Sequence, residues 1–210
     1  MVQILKESVR DQITEAALTR FAKDGFTEAT MAAISSEAGV ATGTIYKYFD
    51  NKNSLFEHVI PDAFVEEYGR LTRDRIASFE QHGESSPGLP GPDGEPGELL
   101  RFIVRNRLQV IILLSRAAGT RHASFARDYV ATMESQALSQ ARRQFPGLRE
   151  TETFLFMARR IFENSVRDTV SILEHFRTEK EIARALSAMS ACQVAGLLAL
   201  ADWTRQEGER

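Results

Sequence analysis

Apolar residues recur at Ile13, Ala16, Ala17 and Phe21, so one stripe of a helix over about residues 7–23 faces a core. Asp24-Gly25-Phe26 closes that helix, with Gly25 suited to the positive φ of a helix C-terminus. Thr30 stands where a second helix begins, as an N-cap before Met31, Ala32, Ala33 and Ile34, and Ala38-Gly39 ends it. A third pattern follows at once. Val40, Ile45 and Phe49 form its apolar face, while Thr42, Gly43, Thr44, Lys47 and Tyr48 make the other face small, polar or cationic. Three short helices with a glycine turn between the second and third predict a helix-turn-helix head. A face with little bulk at its tip, hydroxyls and a cation suits a helix laid in a major groove.

The helical period continues downstream. Polar residues 50–54 lead into a fourth helix carrying Leu55, Phe56 and Val59, which Pro61 ends or kinks for lack of an N–H. Phe64, Val65, Tyr68, Leu71 and Ile76 mark a fifth over about 62–79. Residues 83–97 hold nine glycines and prolines in fifteen positions and predict a flexible surface loop; the glycine every third residue is too short a run for a collagen-like triple helix. Residues 99–114 are apolar nearly all round and predict one buried helix. A further helix spans about 123–145, ended by Pro146-Gly147, and two long ones close the chain, about 151–177 and 179–205. The last mixes Ala183, Ala185, Ala188, Ala191, Ala195 and Gly196 with Leu186, Leu197, Leu198 and Leu200, a composition that lets helices approach closely on two sides. The expected fold is all-α: a head over residues 1–52, then a helical body over 53–210.

The stretch Ile13 to Leu55 resembles the DNA-binding domain of the TetR family of bacterial transcriptional regulators. The matching positions are Ile13, Ala16, Ala17, Phe21, Gly25, Phe26, Thr30, Ile34, Ala38-Gly39-Val40, Gly43-Thr44-Ile45-Tyr46, Tyr48-Phe49, Lys52 and Leu55. Two positions depart from the family's pattern. Ala41 stands where serine is common and has no side chain to cap the recognition helix, a task that then falls to Thr42. Ser35 stands where alanine is usual.

The resemblance implies that Thr42, Gly43, Thr44 and Lys47 read bases, that Thr30, Tyr48 and Lys52 hold phosphates, and that Tyr46 either touches DNA or braces the recognition helix. It implies a homodimer through the last two helices, a palindromic double-stranded operator, and a repressor released by a small, largely apolar effector. An effector pocket among the later helices would draw walls from Phe102, Phe125, Phe154, Phe162 and Phe176, and polar anchors from Arg105, Arg107, Glu163 and Asn164. Pro61 is a candidate hinge between head and body.

Charge alters this picture in one respect. The chain carries a formal net charge of −3, and residues 1–60 hold six Lys/Arg against eight Asp/Glu. A head that is not globally basic predicts modest non-specific affinity and a shallow salt dependence, with helix N-termini and hydroxyls serving as phosphate donors. His58, His82, His122 and His175 are too scattered for a metal site, and no cofactor or metal is expected. Cys192 reads as a small buried residue of the last helix. No apolar run of membrane-spanning length and no signal-peptide pattern stand out, so the expected location is cytoplasmic. Neither a nucleophile–base pair nor a phosphate-cradling glycine loop is present, so the chain is expected not to be an enzyme. The competing classes are an all-α adaptor or a small-molecule enzyme that keeps a helix-turn-helix without using it.

Overall fold

The computed structural model describes residues 2–82, 97–145 and 147–207, and among these the regular structure is helical. The helices are α1 (Val2–Glu28), α2 (Met31–Glu37), α3 (Thr42–Ile45), α4 (Lys52–Val59), α5 (Asp62–His82), α6 (Glu98–Arg105), α7 (Arg107–Ile111), α8 (Phe125–Gln144), α9 (Glu152–His175) and α10 (Glu179–Glu207). A π turn over Ile112–Arg116 continues α7. The flexible loop expected at 83–97 falls, except for Gly97, outside the described residues, as does Pro146.

The chain divides into two compact units. The first joins Met1–Glu66 to Asn106–Phe125, so it takes in α4, the start of α5 and the α7 segment besides the residues 1–52 assigned to the head from sequence. Aromatic packing accounts for the extension. Phe56 of α4 meets Phe21 at 5.5 Å and Phe26 at 5.1 Å, both edge to face, and Leu55, Phe56 and Val59 are buried with them. The segment 106–125 is tied in by polar bonds. Gln109 Nε2 donates to the Val59 carbonyl at 2.8 Å, Thr27 Oγ1 donates to the Ala118 carbonyl at 3.1 Å, and Arg121 reaches Asp62 at 2.9 Å.

Gly25 (φ +79) is the kink within α1, as its sequence context predicts, and Gly39 (φ +67) makes the turn after α2. Thr30 caps α2, accepting from Ala33 N at 3.1 Å, and Thr151 caps α9, accepting from Phe154 N at 3.2 Å. The single buried helix expected over 99–114 is broken. Asn106 (φ −107, ψ 33) separates α6 from α7, and burial is concentrated in Ile103 and the run Val110 to Leu114. The apolar run reports burial but not helical phase, which the π turn resets by one residue.

The second unit joins Glu67–Arg105 to Ala126–Arg210. Within it α9 and α10 pack together, and Phe154, Ala158, Phe162, Leu173, Ile182 and Leu186 are buried. A polar cluster lies between α5 and α8: Tyr68 stacks on Tyr129 at 5.2 Å and on Phe102 at 5.9 Å, and Tyr129 Oη lies 3.1 Å from Thr72 Oγ1. Burial raises the pKa of both phenols above the usual tyrosine range, keeping them as hydroxyls. Cys192 is exposed rather than buried, because α10 presents that face away from the chain's own core.

Candidate nucleic-acid interface

The recognition element is shorter than its sequence pattern. Regular α-helix covers only Thr42–Ile45, and turn bonds carry the chain to Phe49, with Lys47 N to Thr44 O at 3.0 Å and Phe49 N to Ile45 O at 3.0 Å. Ile45 and Phe49 anchor it in the head's core at 0% and 5% exposure. Thr42, Gly43, Tyr46 and Lys47 are exposed, and Thr44 and Tyr48 are half-buried. Thr30 is exposed as well, and its hydroxyl proton stays available because Oγ1 acts as acceptor to its own helix.

Gly43 has a conformation open to any residue, and a Cβ built there meets nothing within 4 Å. The fold therefore has no need of glycine at this point, although glycine weakens a helix relative to alanine. An outside surface approaching the backbone would explain it.

Ala41 takes the N-cap position without a side-chain bond, and Thr42 does not replace it. Thr42 Oγ1 instead lies 2.9 Å from Ser35 Oγ. Ser35, one of the two departures from the family pattern, is thus paired across the turn with the residue that follows the other, Ala41.

Lys52 requires a correction. Its ammonium donates to the carbonyls of Phe26 at 2.6 Å, Thr27 at 3.1 Å and Ala29 at 2.8 Å, and it sits 4.5 Å from the Phe26 ring. An ammonium has three N–H donors, and all are used here. Lys52 therefore closes the C-terminal end of α1, where cations are favoured, and is withdrawn from the phosphate set. Arg20 is also engaged internally, bridging Asp24 at 3.3 Å and Glu37 at 3.0 Å. Arg10 lies over Phe49 and 3.4 Å from His58 Nδ1. Several of the head's few cations thus brace it, leaving Lys47 as the cation on the exposed face of the recognition turn. His58 is held below its ordinary pKa by burial first and Arg10 second, against an opposing pull from Asp11.

Of the residues expected to form an effector pocket, Phe125 and Arg107 fall in the first unit and the others in the second. Phe154 and Phe162 are plain core, at 3% and 4% exposure. Phe102 belongs to the tyrosine stack, Phe176 caps α9 with His175 against its ring, Arg105 and Asn164 are exposed, and Phe125 and Arg107 are half-buried. Glu163 of that set borders an open groove of about 310 Å³ between α8 and α9, where Arg127, Arg159, Arg160 and Arg167 surround Val130 and Val166. Glu163 pairs there with Arg160 at 2.6 Å and Arg159 at 3.6 Å. Sequence reasoning passed over the Tyr68–Thr72–Tyr129 cluster. Its i, i+4 half on α5 was visible, but Tyr129 lies 57 residues beyond Thr72.

Comparison with known proteins addresses chiefly the head. The family model for bacterial regulatory proteins of the tetR family matches residues 13–59. An uncharacterised HTH-type transcriptional regulator of Haemophilus influenzae is 35% identical over 69 residues, covering 33% of this chain and 37% of that protein. The fatty acid metabolism regulator protein of Bacillus subtilis is 39% identical over 60 residues, covering 29% of each chain. The matched stretches thus span well under half the length of these curated relatives. A solved Clostridium perfringens structure, provisionally described as a fatty acid metabolism regulator, aligns with a TM-score of 0.50 over 89% of this chain and 96% of that one. At 19% identity that likeness shows a shared fold: an N-terminal helix-turn-helix followed by a helical C-terminal part.

Proposed function

We propose, from the premise that this chain belongs to the tetR family of bacterial regulatory proteins through residues 13–59, that it is a transcriptional regulator reading a palindromic DNA operator as a homodimer. The observation that carries the reading is the face built by Thr42, Gly43, Thr44, Tyr46 and Lys47. It is held on a braced core, and its glycine has no internal purpose. In a major groove Gly43 admits close approach, Lys47 donates to guanine acceptors, and the threonines offer hydroxyl and methyl groups. Thr30 and Tyr48 flank the face as phosphate partners, and Tyr46, 51% exposed, joins the contact set rather than acting as an internal brace.

Support for the homodimer comes from α10. Within Glu179–Gln206 an 18-residue window reaches a mean hydropathy of 1.4, yet only 11% of that window is buried within the chain. By length and composition alone this helix could cross a membrane. Its packing against α9 and the exposed apolar residues on both helices fit a second copy better. Two recognition turns related by a twofold axis would then read half-sites about one turn of DNA apart.

As a repressor, the dimer leaves its operator when a small effector binds the helical body and favours a spacing of heads that no longer fits. The effector acts only through its differential affinity for the two states.

Selection of bound duplexes from a random pool, with the winner's affinity measured across salt, tests the reading. A palindrome with a shallow salt slope is expected. Failure of a folded dimer to enrich any sequence would sink it and turn attention to an adaptor role.

A further inference from the structure

Two hydroxyls meet beneath the exposed tip of α3. Ser35 of α2 is 2% exposed, and its Oγ lies 2.9 Å from the Ala32 carbonyl oxygen and 2.9 Å from Thr42 Oγ1. Thr42, the first residue of α3, is itself exposed. Each hydroxyl carries one proton and accepts through two lone pairs, whereas a carbonyl only accepts. The Ser35 proton therefore goes to Ala32, a local back-bond that serine makes readily within a helix. Ser35 Oγ is left to accept, and Thr42 supplies the proton. Both contacts are hydrogen bonds in only one direction, Thr42 to Ser35 to Ala32. Thr42 thus spends its single donor inside the protein and turns its lone pairs outward.

The direction matters because the DNA groups within reach differ in kind. Phosphate oxygens, guanine O6 and N7, and thymine O4 accept hydrogen bonds, while adenine N6 and cytosine N4 donate them in the major groove. We propose that the buried Ser35 hydroxyl sets the polarity of Thr42, making Thr42 an acceptor that selects a base with an exocyclic amino group, adenine or cytosine, over phosphate, guanine or thymine. Ser35 is a positioning residue that touches no DNA and acts through Thr42. The inference rests on the operator-reading function above and adds to it a specificity determinant at Ser35, one of the two departures from the family pattern.

The test selects duplexes from a random pool with the full-length wild type and with Ser35→Ala, Thr42→Val and Thr42→Ser, each first shown to unfold cooperatively. The wild type is expected to enrich a palindrome with one position per half-site at which preference is lost in Thr42→Val, and deleting the exocyclic amino group there, with purine in place of adenine or 2-pyrimidinone in place of cytosine, should weaken wild-type binding. Ser35→Ala frees the threonine proton and should reduce that preference about three- to tenfold, with little further loss when the amino group is deleted. Thr42→Ser keeps the relay and should retain the wild-type preference. Identical preferences for wild type and Ser35→Ala at every position would overturn the relay while leaving the operator reading intact. So would undiminished wild-type binding when the exocyclic amino group at the position that Thr42→Val disturbs is deleted. No enrichment by the wild type would instead overturn the operator reading, and the relay with it.

Discussion

Phe21, Phe26 and Phe56 meet ring against ring inside the head, whereas Leu198 and Trp203 stand on α10 with 41% and 44% of their surface in solvent. Both regions are strongly apolar in sequence. In the head the apolar stripes of α1, α2 and α4 face one another, and the residues left outside are those a groove-reading surface needs. Along α9 and α10 only one face is covered, and Phe156 and Met157 remain 62% and 43% exposed. The contrast separates a head whose apolar stripes are covered within the chain from a pair of closing helices that leave large apolar side chains uncovered, the face assigned above to a second copy.

The largest effect should come from breaking that second half. Replacing Leu198 and Trp203 together by Asp places charges on a face exposed in the single chain. Helix content should persist while the dimer dissociates, as sedimentation would show. Operator affinity should then fall by about 100-fold or more, because each head would bind its half-site alone. A variant that remains dimeric would move the interface off α10.

Next in size is Lys52→Ala, which attacks the covered half. Three carbonyls at the end of α1 lose their donor, and the Phe26 ring loses its cation. The head should be destabilised by about 2–3 kcal/mol, read from the denaturant midpoint. The salt slope of DNA binding should stay as it was. A slope lower by about one, with stability unchanged, would return Lys52 to the phosphate set.

Lys52 also shows where legibility in the sequence stopped. Local signals were readable because their physics is local: Thr30 caps a helix by a bond three residues on, and Gly25 and Gly39 take positive φ where the apolar stripes end. The fold class followed from them. What stayed hidden depended on partners brought in by folding. Lys52 finds carbonyls 23 to 26 residues upstream, and Ser35 finds Thr42 across a turn. Tyr129 joins Thr72 from a distant helix, and the break at Asn106 lies beside an apolar run whose composition looks the same in either helical phase. The aromatic effector candidates rest on hydrophobicity, a property that core and cavity share, and the fold uses Phe154 and Phe162 for core.

A smaller substitution sharpens the reading face itself. Gly43→Ala meets open space in the free protein, so stability should hold or rise by up to about 1 kcal/mol from improved helix propensity. DNA affinity should fall at least tenfold as the methyl group enters the gap that the glycine leaves for a base or sugar. Lys47→Ala, on the same face, should cost about 1–3 kcal/mol of binding and relax preference at one base pair. Equal losses on specific and random DNA would reassign Lys47 to phosphate. If Gly43→Ala bound DNA like the wild type, the glycine would have no partner-facing role and the face would lose its main support.

The smallest expected effect lies within the head unit, where the segment after the π turn meets α4 and the start of α5. His122 lies 3.7 Å from Asp62 and 6.5 Å from the Phe56 ring, beside Arg121, which also reaches Glu57. Burial lowers its pKa from the ordinary value of 6.5, and Arg121 adds to this, with Asp62 and Glu57 pulling the other way. The native state therefore holds the neutral ring. As pH falls below 6.5 the unfolded chain takes up the proton before the folded one does, so stability is full above that value and declines towards the lowered one. His58 is shifted in the same direction and contributes a parallel decline. Denaturant midpoints measured between about pH 8 and pH 5 should fall for the wild type and fall less steeply for His122→Gln, with the difference confined to the acid side. Equal slopes in the two proteins would mean that Asp62 and Glu57 outweigh burial and Arg121, leaving this corner of the head indifferent to acid.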